Sequence, residues 1–553
     1  MKNSYSIGLD YGTNTVRGVL IRLRDGSEMA SAIYAYEHGT AGIILNPKDH
    51  NVARQHPQDY ITGLETVLSK LMAQAKKLKI SADSIIGIGI DTTGSTPIPV
   101  DKNNTPLAML PRFKKNINAL AWLWKDHTGY KEAAEITRVA AAQRPQYIAK
   151  CGNTYSSEWF FSKILHCLNS DEKVFNAAYS WVECCDFIPA WLCGITDPMA
   201  IKRSVCAAGH KALYHPSWNG LPDKEFLSVL NPKLADLRDR LFSIAYPSNA
   251  LAGCVSDRYL KKFGFKHKVP VAVGAFDAHF GAVGAGVRPG VLVKIIGTST
   301  CDITIATQAQ EVTDIPGVCG VVPDSVVPGT VGIEAGQSAV GDILNWYVSH
   351  ICQENDSYHA ILTAGAAKLA VGQSGLLALD WNNGNRTVLV NPNLTGTLIG
   401  QTLHTTRAEI YRALIEATAF GARKIIERIQ EYGINLEKVV NCGGISQKNA
   451  MFMQIYADVT GIPMEISQST QTCALGSAIF AAVAGGAFTS VEEAQKSMCK
   501  ANNKSYKPDP KRAALYNRLY ELYTVLHDAF GLEQESSLSG VMAELLEIKR
   551  LAK

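Results

Sequence analysis

The chain has 553 residues, of which 46% are hydrophobic and 19% are charged, and its formal net charge is +4. This length exceeds what one hydrophobic core usually organises, so we expect two domains of about 250 residues each. The small positive charge is not gathered into a basic run interleaved with aromatic residues, which argues against nucleic acid as a partner.

Apolar segments and cysteine spacing indicate in which cellular compartment the protein is expected. No apolar stretch reaches the roughly 20 residues of a membrane span. The first residues lead directly into a predicted strand without an apolar leader. Thirteen cysteines without metal-ligand spacing are typical of reduced thiols. We therefore expect a cytoplasmic protein without a membrane partner.

The first predicted element is a β-hairpin at residues 7–21, whose turn contains Gly12, Thr13 and Asn14. Such a turn offers backbone N–H groups to an anion. Asp10 stands beside it, and a carboxylate next to an anion favours a cation between them. We therefore assign Asp10 to Mg²⁺ held through water. The alternative is a turn that uses Asp and Gly only for geometry.

A helix over residues 64–78 and a buried strand over 85–91 follow, predicted from their apolar spacing. The strand ends in a turn that carries Thr96. Residues 122–251 are rich in aromatics and short loops, which suggests an elaboration that selects the substrate. Lys211, within it, is either a hydrogen-bond donor to a ligand oxygen or an ordinary surface lysine.

A second buried strand is predicted over residues 268–274, and we place the domain boundary just before it, giving domains 1–267 and 268–553. Asp277 follows this strand at the onset of a helix. A carboxylate there is suited to act as general base for a hydroxyl. The alternative role is that of a helix N-cap.

A second hairpin at residues 292–306 repeats the first, with Gly297 and Thr298 in its turn. Two such turns, each opening one half of a long α/β chain, indicate a duplicated fold that binds a polyphosphate. Glu334 follows, before a helix predicted from Gly336 onward. Its carboxylate either binds sugar hydroxyls or stabilises the helix end.

A long helix is predicted near residues 407–430, followed by a strand that ends in Gly443 and Gly444. Two glycines let a flat ring lie against the backbone, and Asn449 holds either that ring or the next helix. By itself the motif also fits a plain strand–helix turn. The small-residue run at 473–488 predicts a tightly packed interior helix.

Taken in order, these motifs resemble the FGGY family of sugar kinases, which share the actin-like ATPase core. The resemblance covers the chain from residue 7 to about residue 486. The segments that carry it are Asp91–Pro97, Trp124–Thr128, Tyr155–Trp159, Ala208–Lys211, Gly274–His279, Ile296–Asp302 and Glu334–Ser338. It implies an α/β fold of two actin-like ATPase (ribonuclease H-like) domains flanking a catalytic cleft, with sugar bound by the N-terminal domain and ATP by the C-terminal domain.

The resemblance also implies roles for residues. Asp277 matches the catalytic base, which also contacts the substrate. The sugar-contacting positions are Thr96, Lys211 and Glu334, and the nucleotide-binding positions are Gly12, Thr13, Asn14, Gly297, Thr298, Gly336, Gly443, Gly444 and Asn449. The implied cofactors are ATP and Mg²⁺, the implied partner is a small ketopentose, and a homodimer is compatible with the family.

Within the family, the segments are most similar to the kinases of L-ribulose. The implied reaction is ATP-dependent phosphorylation of the C5 hydroxyl of L-ribulose in arabinose catabolism. A kinase for D-ribulose, ribitol or another pentulose or polyol stays open. A more distant alternative is an actin-like ATPase that binds protein partners, because one ATPase core hosts several functions.

Overall fold

The computed structural model describes residues 4–500, 504–533 and 538, which form two compact units. The first unit comprises the chain up to Gly286, Gly320–Gly332 and Gln471–Lys500; the second comprises Val287–Cys319, Ile333–Thr470 and the described residues from 504 onward. The first unit extends beyond residue 267. The division into domains 1–267 and 268–553 stays a prediction.

The strands carry the two predicted hairpins and the predicted strand at 85–91. They are β1 Tyr5–Tyr11, β2 Thr15–Arg22, β3 Ser27–Ala35, β4 Ile44–Asn46, β5 Asp49–Gln55, β6 Ile85–Thr92, β7 Pro97–Val100, β8 Ala121–Trp122, β9 Ser180–Glu183, β10 Arg203–Ser204, β11 Ala245–Tyr246, β12 Leu251–Cys254, β13 Pro270–Ala272, β14 Ala275–Phe276, β15 Val291–Ile296, β16 Thr300–Thr307, β17 Gly320–Pro323, β18 Thr330–Ala335, β19 Leu377–Leu379, β20 Thr397–Ile399, β21 Lys438–Cys442, β22 Met464–Ile466 and β23 Ser505–Tyr506.

The α-helices include those predicted at 64–78, 407–430 and 473–488. They are α1 Pro57–Lys77, α2 Tyr130–Gln143, α3 Pro145–Ala149, α4 Phe160–Ser170, α5 Glu172–Ala177, α6 Cys184–Cys193, α7 Val205–Lys211, α8 Lys224–Leu230, α9 Pro232–Leu237, α10 Asp257–Phe263, α11 Asp277–Gly284, α12 Gly341–Trp346, α13 Tyr358–Ala366, α14 Arg407–Glu431, α15 Gly444–Lys448, α16 Ala450–Thr460, α17 Thr472–Ala484, α18 Val491–Met498 and α19 Pro510–Gly531.

The main sheet of the first unit runs in the order β12-β13-β6-β1-β2-β3, and β14 also pairs with β6. Strand β1 is antiparallel to β2, as the predicted hairpin requires, and parallel to β6. Strand β14 is also parallel to β6. Parallel strands end at the same edge of a sheet, so β1, β6 and β14 present the residues at their carboxyl ends together.

The sheet of the second unit repeats this arrangement. Six of its strands run in the order β18-β16-β15-β21-β22-β23. Strand β15 is antiparallel to β16, again as a hairpin, and parallel to β21. Each unit therefore combines a hairpin with a parallel neighbour of the hairpin's first strand, which confirms the duplicated α/β fold.

Helix α17 packs on β1 and β6, and it is the interior helix that the small-residue run predicted. Glycines on the two strands make this close approach feasible. A Cβ on Gly8 would overlap the carbonyl oxygen of Ala474, and a Cβ on Gly89 would overlap that of Ser477. The alternating glycines of β6 therefore provide space for a helix backbone.

Two predicted elements differ from the structure. The strand expected at 268–274 is divided into β13 and β14. The helix expected from Gly336 begins only at Gly341, because both partners of its first backbone bond are engaged elsewhere: the carbonyl of Gln337 accepts from the N–H of Thr300 at 3.0 Å, and the N–H of Gly341 donates to the carbonyl of Gly297 at 3.1 Å. Among the described residues, no helix combines the length and apolar character needed to cross a membrane.

The glycine packing predicts a stability effect. Gly89→Ala places a methyl group against the backbone of α17, and we expect it to lower the free energy of unfolding by about 3 kcal/mol or more. The control is Gly264→Ala, because Gly264 has open space and only a positive φ of 77°; it should cost about 1 kcal/mol. Urea denaturation of both variants tests this, and equal losses would contradict the packing argument.

Candidate active site

Three carboxylates meet at the strand ends of the first unit. Asp10 lies near the end of β1, and the sheet register places it opposite Asp91 near the end of β6. Asp91 is also opposite Ala275 of β14, and Asp277 follows that strand as the first residue of α11. Residues far apart in sequence are thus joined by parallel pairing into one acidic cluster.

The carboxylates of this cluster have different environments. Asp91 is completely buried, and burial, followed by the negative charges of Asp10 and Asp277, raises its pKa well above the usual range. The hydroxyl of Ser477 donates to its Oδ2 at 2.6 Å. Burial also raises the pKa of Asp10. Burial and the neighbouring carboxylates thus favour the protonated form of Asp91, which relieves repulsion within the cluster.

Asp277 differs because its side chain stays partly exposed. Its Oδ1 accepts a hydrogen bond from the backbone N–H of Ala278 at 2.7 Å. The N-terminal end of α11 favours a negative charge at this position. Asp277 is thus an oriented carboxylate that a ligand can reach, as a general base requires.

Thr96 immediately precedes β7 and is completely buried. Its backbone N–H donates to Oε2 of Glu183 at 2.7 Å, and its carbonyl accepts from Cys184 at 3.1 Å. Its hydroxyl oxygen has no hydrogen-bond partner within the described structure. A buried hydroxyl without a partner is costly, so it suits a site that a polar ligand completes.

Two buried charges hold the segment that carries Thr96. The ammonium of Lys163 donates to the carbonyls of Ser95 at 2.7 Å and of Leu123 at 2.8 Å. Glu183 accepts from both the hydroxyl of Ser95 and the backbone of Thr96. Burial lowers the pKa of Lys163 to about 7 and raises that of Glu183. These groups fix the orientation of the Ser95–Thr96 backbone.

Lys211 ends α7 and is largely buried, so the alternative of an ordinary surface lysine is wrong. Its ammonium lies 5.1 Å from the ring centroid of Trp159, and its carbonyl accepts from the hydroxyl of Tyr155 at 2.6 Å. In the second unit, Glu334 is buried on β18 rather than at a helix start. Its role as a sugar contact stays a prediction, as does that of Lys211.

Hydrogen bonds from distant side chains hold the first turn in place. The carbonyl of Thr13 accepts from the side chain of Gln55 at 2.7 Å, and its hydroxyl accepts from the indole of Trp124 at 3.1 Å. The side chain of Asn14 donates to a backbone carbonyl at 2.6 Å. A Cβ on Gly12 would meet no atom closer than 3.6 Å. The turn is therefore fixed in place with open space at Gly12.

The second turn is held by the segment that follows β18. The carbonyls of Thr298 and Gly297 accept from the backbone N–H groups of Val340 at 2.8 Å and Gly341 at 3.1 Å. A Cβ on Gly336 would overlap the backbone of Thr300, where the turn ends. Close packing thus accounts for Gly336, and the binding of nucleotide by these residues stays a prediction.

The third glycine motif begins after β21. Gly443 has a φ of 99° and lies against the backbone of β15, whereas a Cβ on Gly444 would meet nothing within 4 Å. Asn449 caps α16, since its Oδ1 accepts from the backbone N–H of Phe452 at 3.0 Å. The helix-holding role of Asn449 is therefore present, and its contact with a ring stays a prediction.

Sequence reasoning missed Asp91, Lys163 and Glu183 as site residues. Asp91 had a usable signal, because it ends an apolar strand directly beside the Thr96 turn. Lys163 and Glu183 had none, since each stands in an ordinary mixed segment and only its burial shows its role.

Two α/β units that each combine a hairpin with a parallel neighbour of its first strand agree with the fold of sugar kinases of the actin-like ATPase type. The N-terminal domain of the FGGY family of carbohydrate kinases matches residues 5–284, and the C-terminal domain of that family matches residues 292–485. The chain belongs to this family and is a sugar kinase, and the family implies the use of ATP.

Individual proteins agree with this assignment. The chain is 39% identical over 541 residues to the ribulokinase of Vibrio parahaemolyticus, covering 94% of this chain and 95% of that protein. It is 40% identical over 550 residues to the ribulokinase of Halalkalibacterium halodurans, covering 96% of each. Its fold is similar to that of a xylulose kinase from Rhodospirillum rubrum, with a TM-score of 0.79, 23% identity, and coverage of 95% of this chain and 99% of that one.

The raised pKa of Asp91 predicts a pH effect. Folded Asp91 keeps a proton that the unfolded chain releases near pH 3.8, the ordinary pKa of an aspartate. Its stabilising contribution is therefore full below that pH and is lost as pH rises toward the folded-state pKa. Asp91→Asn should remove this dependence. Between pH 5 and pH 8, the thermal midpoint should fall more for the wild type than for the variant; parallel profiles would refute a protonated Asp91.

Proposed function

We propose that this chain transfers the γ-phosphoryl group of ATP to the C5 hydroxyl of L-ribulose, giving ADP and L-ribulose 5-phosphate in L-arabinose catabolism. The observation that carries the proposal is the accessible carboxylate of Asp277 at the start of α11, within the acidic strand-end cluster. The ribulokinases among the relatives support the choice of sugar.

In this proposal Asp277 accepts the proton of the C5 hydroxyl while that oxygen forms its bond to the γ-phosphorus. The bond between the γ-phosphorus and the β,γ-bridging oxygen breaks, and ADP leaves. Such a transfer depends on positioning and charge stabilisation more than on covalent help from the protein. The acceptor is the open-chain ketose, because furanose closure would consume the C5 oxygen.

The proposed sugar contacts are Thr96, Lys211, Asp277 and Glu334. The hydroxyl of Thr96 is buried and has no partner in the described structure, so a sugar oxygen would satisfy it. The buried ammonium of Lys211 and the carboxylate of Glu334 supply a donor and an acceptor for further hydroxyls. A set of buried polar groups discriminates strongly against substrates that leave them unpaired.

The proposed phosphate contacts are the turns at Gly12, Thr13 and Asn14 and at Gly297, Thr298 and Gly336. Both turns end an antiparallel hairpin, and Gly12 and Gly297 have open space where a side chain would stand. Backbone N–H groups can therefore approach phosphate oxygens closely. We assign adenosine to Gly443, Gly444 and Asn449, because Gly444 leaves a flat surface at the start of α15.

Magnesium fits the acidic cluster. Burial, followed by the negative charges of Asp10 and Asp277, raises the pKa of Asp91, and a cation would offset the charges of those carboxylates. We propose that Asp10 holds Mg²⁺ through water. Bound Mg²⁺ would offset the charge of the phosphates. We also propose that the reaction takes place in the cytoplasm, where ATP is supplied.

Asp277→Ala tests the base assignment. We expect kcat to fall by about 10²–10⁴-fold, because the hydroxyl loses its proton acceptor, while ATP affinity stays close to that of the wild type. The matched control is Asp257→Ala, since Asp257 is likewise the first residue of a helix, α10, in the same unit. Intact turnover in the Asp277 variant, or an equal loss in the Asp257 variant, would refute the assignment.

A substrate panel tests the choice of sugar. ADP release is measured in a coupled assay with Mg-ATP and L-ribulose, D-ribulose, L-xylulose, D-xylulose, ribitol or glycerol. We expect the highest kcat/KM with L-ribulose. A higher value for another member keeps the sugar kinase but replaces its substrate, and ADP release without any sugar would support the partner-binding ATPase.

A further inference from the structure

A buried ion pair lies on the two strands that the second turn connects. Lys294 and Asp302 are opposite each other on β15 and β16, and the ammonium contacts the two carboxylate oxygens at 2.9 and 2.8 Å. Their side chains are only 2% and 1% exposed. Removing two charges from water is costly and brings little net stability. This pair therefore calls for an explanation other than stability.

Gln337 connects this ion pair to the turn. Its Oε1 accepts from the ammonium of Lys294 at 3.0 Å. Its backbone N–H donates to the hydroxyl of Thr300 at 2.9 Å, and its carbonyl accepts from the N–H of Thr300 at 3.0 Å. Thr300 is the residue at which the turn ends and β16 begins. The position of Gln337 and that of the turn are thus fixed together.

The other end of Gln337 reaches toward helix α19. Its Nε2 donates to Oδ2 of Asp380 at 2.7 Å, and Oδ1 of Asp380 accepts from the hydroxyl of Tyr523 at 3.0 Å. Burial raises the pKa of Asp380, and the bonds from Gln337 and Tyr523 oppose that rise. A Cβ on Gly421 would overlap Asp380, so the chain leaves space for this carboxylate.

We propose that helix α19 sets the position of the second turn, and with it the affinity for the nucleotide, through the relay Tyr523–Asp380–Gln337–Thr300. This inference rests on the proposed binding of phosphate at Gly297 and Thr298. Tyr523 acts through other residues and is a positioning residue. Its hydroxyl donates to the Asp380 side chain, as Nε2 of Gln337 does, so its loss leaves a buried carboxylate with one donor fewer. The bond between Asp380 and Gln337 then changes in strength relative to the bond that Nε2 also donates to the carbonyl of Thr418 at 2.8 Å.

The test compares two tyrosines of the same helix. Tyr523→Phe removes the first bond of the relay without removing the ring. Tyr516→Phe is the matched control: Tyr516 is also fully buried and donates to a carboxylate, that of Glu416, at 2.8 Å, outside the relay. The readouts are the Kd for ATP by titration calorimetry without sugar, the KM for ATP and for the sugar, and the thermal midpoint.

We expect Tyr523→Phe to raise the Kd and KM for ATP about fivefold or more while the KM for the sugar is unchanged. Tyr516→Phe should lower the thermal midpoint without changing ATP affinity. Asp380→Asn should raise the KM for ATP as well, and the double variant with Tyr523→Phe should show less than the product of the two effects, because both break the same relay.

Unchanged ATP affinity in Tyr523→Phe, or an equal change in Tyr516→Phe, would show that α19 only stabilises the fold and would overturn the inference. Failure of the proposed function is separable, because the Kd for ATP does not depend on which sugar is phosphorylated. A preference for another sugar leaves the relay standing. A wild-type chain that binds no ATP overturns the relay together with the phosphate assignment.

Discussion

The close approach of α17 to two parallel strands is the constraint on which the acidic cluster depends. Gly8 and Gly89 let the helix backbone lie against β1 and β6, where any side chain would force them apart. At that distance the hydroxyl of Ser477 donates to the buried carboxylate of Asp91 at 2.6 Å, and its oxygen lies 3.3 Å from the carbonyl oxygen of Leu9. The same packing that closes the core thus buries Asp91 beside Asp10, and this burial raises the pKa of Asp91.

The two units share one arrangement but place different charges in it. In the first unit, Asp10 lies across the hairpin from the exposed Arg17 and, along the parallel register, opposite the buried carboxyl group of Asp91. In the second, the corresponding hairpin carries Lys294 and Asp302, which neutralise each other. A uniform fold therefore supports unequal chemistry, because the side chains at the strand ends are independent of the backbone pairing.

Buried charges recur where segments of the candidate site are fixed. Lys163 and Glu183 hold the backbone at Thr96, and Lys294 holds Gln337 beside the second turn. Each such charge loses hydration, so these groups bring specific geometry rather than net stability. Phosphoryl transfer depends on the placement of donors and acceptors. A kinase therefore benefits from fixed geometry even where the buried charges add no net stability.

The sequence by itself determined the hairpins at both turns, the strand of β6, the helices α1, α14 and α17, and the family, because apolar spacing and turn residues are local patterns. It also indicated Asp277, which follows a strand and opens a helix. Only the tertiary structure decided that Asp91 faces Asp10, that α17 returns to the first unit, and that Tyr523 reaches Asp380 beside Gln337. Those pairings join residues far apart in the chain, and burial and strand register are properties that no local pattern of residues specifies.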